Sequence, residues 1–152
     1  MKRLLALALL CPLAAACGGS SRPSAGAYRA KLATIATEAD KAQHNVEQAL
    51  QARTVATIHA RLSAFAAADE RLGDQIDALK PPTDAEQANT ALANAEHDMA
   101  DTVRSLLPRI AQARTAKAAL TLLQNDKQAA KTGQELDAAL SQLKKLGYTK
   151  GS

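Results

Sequence analysis

The sequence predicts an all-α domain, most simply an antiparallel up-down-up-down four-helix bundle. Three observations carry that expectation. Apolar residues recur in alternating steps of three and four along four long stretches. Alanine supplies about a quarter of the chain while the aromatics are Tyr28, Phe65 and Tyr148 alone, which suits helices with thin, close-packed interfaces. Gly and Pro are scarce inside the periodic stretches and mark several of their borders. A three-helix bundle with one long bent helix is the alternative.

The first seam runs Tyr28, Leu32, Ile35, Ala39, Ala42, Val46 and Ala49, predicting a helix over residues 27–51. The second runs Val55, Ile58, Leu62, Phe65, Asp69, Leu72, Ile76 and Leu79, over residues 55–80. It is out of phase with the first, so residues 51–54 read as a turn with Thr54 as N-cap. Pro81-Pro82 is the firmest boundary, because Pro81 forces Lys80 out of helical geometry. Thr83-Asp84-Ala85-Glu86 follows as a capping box, opening a helix over 84–112 with seam residues Ala88, Leu92, Ala95, Met99, Val103, Leu106 and Ile110. Pro108 is expected to bend that helix or end it early.

The last helix, over 116–146, uses Ala119, Leu122, Ala129, Leu136, Leu140 and Leu143, with Asp126 and Gly133 as flaws in its seam. Asn125-Asp126 is the rival place for it to start. Gly147 suits the left-handed position past the helix end, letting Tyr148 pack back on the last turn. Residues 149–152 are a short tail. Gln51-Ala52-Arg53-Thr54 recurs as Gln112-Ala113-Arg114-Thr115, which suggests two similar helical hairpins joined at Pro81-Pro82. That topology puts both ends of the 27–148 domain at one pole, with Tyr28 beside Tyr148, and both QART turns at the other.

The N-terminus carries a different signal. Lys2 and Arg3 precede an apolar run over residues 4–10 that is too short to span a bilayer as a mature helix, and Leu13-Ala14-Ala15-Ala16-Cys17 follows. This arrangement resembles the signal peptide and lipobox of bacterial lipoproteins. The position three before the cysteine is Ala14, where the family usually has Leu, and Leu13 stands one further back. The resemblance implies a signal peptide over 1–16, diacylglyceryl transfer to the Cys17 thiol, and a mature chain that begins there on an acyl anchor. An ordinary secretory signal cut at the same bond is the other reading. Residues 18–26 (GGSSRPSAG) are a flexible tether spanning roughly 15–18 Å. The resemblance covers only the first 17–20 residues; beyond them the chain is like other Ala-rich helical lipoproteins in composition only. It implies an exported protein on the outer face of the cell membrane, or in the outer membrane of a host that has one.

Charge and cysteine usage exclude several classes. Without Lys2 and Arg3 the chain keeps 17 basic and 15 acidic residues, and no basic block is interleaved with aromatics, so nucleic acid is not an expected partner. Cys17 is the last cysteine, which rules out an internal disulfide framework or a zinc ribbon.

Candidate chemistry is sparse. Asp40 and His44, and His97 and Asp101, are spaced four apart on shared helix faces, but they lie off the apolar seams and read as solvated; no metal set and no cofactor are expected. His59 has no acid at helical spacing. No nucleophile has a catalytic setting, so the chain does not read as an enzyme. Asp69 is the exception worth following, because a carboxylate on an apolar stripe is costly unless paired. It reads either as paired across helices or as lying at a seam edge, with Ala68 in the core position instead.

Two basic regions complete the expectations. Arg53 and Arg114 in the QART turns, with Arg104, Arg109 and Lys117, make a distal surface able to dock an acidic partner or an envelope polymer. Arg29, Lys31, Lys144 and Lys145, with Arg22, Lys80 and Lys150, gather at the tethered pole, where they either meet anionic headgroups or simply complement helix C-termini. The sequence therefore reads as a non-enzymatic, lipid-anchored envelope protein presenting a helical surface to an unidentified protein or polymer. A bundle that holds a small ligand or metal between its helices is the contrasting class.

Overall fold

The computed structural model describes residues 23–149, and Cys17, the signal-like segment, Arg22 and Lys150 lie outside them. Among the described residues helices are the only regular secondary structure: α1 (Ala25–Leu50), α2 (Val55–Asp77), α3 (Glu86–Ala111), α4 (Ala116–Gln124) and α5 (Lys127–Lys145). None of these helices is long and apolar enough to cross a membrane.

Polar side chains start four of the five. Ser24, Thr54, Thr115 and Asp126 each accept a hydrogen bond from the backbone N–H three residues on, satisfying a donor that the first turn leaves free. Both QART threonines therefore do the same work. Residues 83–85 form a turn of 3-10 helix that leads into α3. At the other end of the chain Gly147 adopts φ +77°, its N–H reaches the Lys144 carbonyl and the Tyr148 N–H reaches that of Leu143, which closes α5 as expected.

Three expectations are corrected. α2 stops at Asp77 rather than 80, ahead of Pro81-Pro82. Pro108 does not end α3, which runs on to Ala111. Being close to the helix end it removes only the bond to the Arg104 carbonyl, and its own carbonyl accepts the Gln112 N–H at 3.3 Å. The predicted helix over 116–146 is broken at Asn125-Asp126, because the Asp126 carboxylate takes the Ala129 N–H and starts a new helix. Asp126 is thus a cap rather than a seam flaw. The break also resets the register: α5 buries Thr132, Ala139 and Leu143, while Leu140 stays 40% exposed.

α2 and α3 run antiparallel: Arg104 of α3 meets Glu70 of α2, while Asn89, fifteen residues earlier on α3, meets Ile76. Gln75 of α2 also donates to Glu38 of α1 at 2.9 Å. Along α5, Glu135 and Ala139 share a groove with Ala95 and Asp98 of α3, and Lys145 lies near Asp84 and Gln87. α2 and α3 form the central pair, with α1 laid on α2 and α5 on α3. The core is continuous and rests on Leu, Ile and close-set Ala, including Ala42, Ala66, Ala88, Ala93 and Ala100.

One pole is tied by aromatics. The Tyr28 and Tyr148 rings pack edge to face with centroids 5.1 Å apart, as the sequence predicts. The Tyr28 hydroxyl donates to Asn89 at 2.9 Å, the Asn89 amide donates to the Ile76 carbonyl, and the Tyr148 hydroxyl donates to Asp84 at 2.9 Å. Burial pushes Tyr28 up to about 12, with Tyr148 adding to the effect.

Candidate functional site: the acid–histidine layers between α2 and α3

The central helix pair holds polar groups in two layers. The inner layer follows from heptad spacing. Asp69 stands seven residues before Ile76, and Glu96 seven after Asn89, so the antiparallel pairing that joins Ile76 to Asn89 also brings Asp69 opposite Glu96. Both are buried, at 2% and 7% exposure, and Asp69 Oδ2 has no hydrogen-bond partner. Burial raises the Asp69 carboxyl to about 8, with the negative Glu96 adding to it. Glu96 rises to about 7, again from burial, with His97 pulling the other way. At neutral pH this layer retains protons that ordinary carboxyls have lost. Asp69 is therefore in the core position, and what faces it is a second acid, not a cation.

The outer layer lies one residue along each helix. Glu70, Gly73, Asp74 and Asp77 occupy i, i+3, i+4 and i+7 on one face of α2, the four corners of the hole that a knob from a facing helix enters. The knob is His97. Its Nδ1 is 3.5 Å from Glu70 Oε1 and its Nε2 3.4 Å from Asp77 Oδ2. Gly73 makes the seat possible: a Cβ there would stand 2.6 Å from the ring Cε1 and 2.7 and 2.8 Å from the two nitrogens. Arg104, one helical repeat further along α3, bonds Glu70 Oε2 at 2.8 Å and Asp101 Oδ1 at 3.2 Å.

Several expected pairings are thereby replaced. His97 meets α2 across the seam, and its predicted same-helix neighbour Asp101 engages Arg104 instead. His44 bonds Glu47 at 3.2 Å and Gln48 at 2.6 Å, within its own exposed turn. Arg104 is tied into the seam and does not belong to a free distal surface.

The other predicted positions fall as follows. Arg53 and Arg114 are exposed in the turns before α2 and α4. Lys31, Lys144 and Lys145 are exposed, and the Arg29 guanidinium sits 5.7 Å above the Tyr148 ring. Apolar periodicity singles out Asp69 but not Glu96, Glu70, Asp74 or Asp77. The signal that points to the last three is the E-x-x-G-D-x-x-D spacing over residues 70–77, which places four residues on one helix face.

Comparison of the chain with protein-family models, with curated proteins and with solved structures finds no match.

Proposed function

We propose that this chain is an exported, lipid-anchored helical protein of the bacterial cell envelope that carries no enzymatic activity and presents a helical surface to a protein or polymer partner. The observation that carries the reading is the order basic start, short apolar run, Leu13-Ala14-Ala15-Ala16-Cys17, then a Gly/Ser/Pro tether. In this reading the described helices form an antiparallel four-helix bundle whose fourth member is α4 and α5 together. The Tyr28–Tyr148 pair supports it, because it gathers the start of α1 and the end of the helical domain at the pole where the tether would arrive. Arg29, Lys31, Lys144 and Lys145 then face the headgroups, and Arg53 and Arg114 point away to meet the partner.

The anchor is tested by comparing the parent with Cys17→Ser in a bacterial host. The parent should enter the detergent phase and carry acyl mass on Cys17, and the variant should lose both. A Cys17→Ser variant that partitions like the parent overturns the anchor. For the docking surface, an Arg53→Glu/Arg114→Glu double variant should lose cross-linked envelope partners; an unchanged cross-linking pattern overturns that part.

A further inference from the structure

We propose that Glu70, Asp74 and His97 form a binding site for a divalent transition-metal ion of the zinc class, a property that goes beyond an anchored, partner-binding protein. One ligand atom from each of the three lies within 4.8 Å of the others. His97 Nδ1 and Glu70 Oε1 are 3.5 Å apart, too long for an ordinary N–H···O bond of about 2.7–3.2 Å. Two ligands at roughly 2.0–2.1 Å from a tetrahedral ion are about 3.4 Å apart. The pair is therefore set nearer the edge of a metal polyhedron than a hydrogen bond.

Two of the three ligands are also held by a group outside the triad. Asp77 Oδ2 lies 3.4 Å from the other ring nitrogen, Nε2, and so helps hold the ring with Nδ1 toward Glu70. Arg104 holds Glu70 Oε2, which leaves Oε1 for an ion. Gly73 lets the ring lie against the α2 backbone, and Asp74, exposed at the mouth, leaves the remaining coordination positions to water. The charge balance favours a cation: Glu70, Asp74 and Asp77 stand around His97, and the one guanidinium bonded to Glu70, that of Arg104, is shared with Asp101. An imidazole nitrogen with two carboxylates suits Zn²⁺, Co²⁺ or Ni²⁺, whereas Ca²⁺ and Mg²⁺ favour all-oxygen sets.

The test is titration of the purified metal-free protein with ZnCl2, followed by calorimetry, and with CoCl2, followed by its visible d–d absorption. One equivalent should bind with micromolar half-saturation, and added MgCl2 should not compete. His97→Asn and Asp74→Asn should each weaken zinc at least tenfold, while His44→Asn and His59→Asn leave it unchanged. The exposed Asp74 makes its variant safe for folding, which the helical circular dichroism checks. Half-saturation only at millimolar zinc, binding by Asp74→Asn equal to that of the parent, or loss confined to His44→Asn would overturn the site. None of these outcomes depends on whether Cys17 carries a lipid.

Discussion

Asp69 and Glu96 place two carboxyl groups in one buried layer between α2 and α3, and among the described residues no guanidinium or ammonium pairs with either. Their folded-state pKa values lie above the unfolded ones, so the native state keeps protons that the unfolded chain releases. The pair's contribution to stability is complete below about pH 4 and declines as pH rises toward about 8, the level reached by Asp69.

The first prediction follows from that sign. With chelator present to keep metals out, Asp69→Asn should raise the thermal midpoint at pH 8 by roughly 5–10 °C, or about 2 kcal/mol, and change it little at pH 4.5. The asparagine amide can donate to Glu96, so the layer need not lose its packing. A variant that shifts both midpoints equally would mean that Asp69 titrates normally.

Gly73→Ala should behave against its propensity. Alanine in a helix interior is ordinarily favoured over glycine by roughly 0.5–1 kcal/mol. Here the methyl group would meet the His97 ring, and a net loss of about 1–2 kcal/mol is expected. Combining it with His97→Ala removes the clash, so in that background Gly73→Ala should stabilise. Chemical denaturation of the four proteins in this cycle gives the coupling directly.

The two tyrosine hydroxyls should prove unequal. Tyr28→Phe strands the Oδ1 of buried Asn89 and is expected to reduce stability by about 1–3 kcal/mol. Tyr148→Phe loses a bond to Asp84, whose residue is exposed and can turn to water, so about 0.5–1 kcal/mol is expected. Equal losses in urea melts would refute the ranking.

The repeated QART turns offer a matched pair. Thr54→Ala and Thr115→Ala each remove one N-cap bond, worth about 1 kcal/mol. Their local effects should differ. α4 has nine residues and buries only Ala119, whereas α2 is 23 residues long and lies in the centre. Hydrogen exchange should speed up throughout residues 116–124 in Thr115→Ala, and only in the first turn of α2 in Thr54→Ala.

Much of this architecture was legible in the residues because helical periodicity and capping are local. The seams of α1 and α2, Thr54 as a cap, and the Gly147 ending follow directly. Asp126 was harder to read, because a helix-seam residue and an N-cap use the same side chain; the choice depends on whether the 3.6 period continues past it. The site was less visible still. His97 has an acid four residues away on its own helix, which is where a one-dimensional reading looks first. Its actual partners, Glu70 and Asp77, are reached through the register of α2 against α3, and that register is set by distant contacts such as Ile76 with Asn89. Glu96 escaped attention because the α3 stripe is broad: with Leu92, Ala93, Ala95 and Ala100 all buried, seven-residue spacing alone does not reveal which neighbour shares the core.

The aromatic pole also determines how the fold would bear force. Tension entering from residue 23 and leaving beyond residue 149 acts at one end of the molecule, so it peels α1 from α2 turn by turn instead of sliding the helices past each other. Peeling loads few contacts at a time, and the first in line are the Ser24 cap and Tyr28 with its bond to Asn89. That corner acts as a mechanical fuse: rupture there frees the first turns of α1 while the α2–α3 pair remains closed.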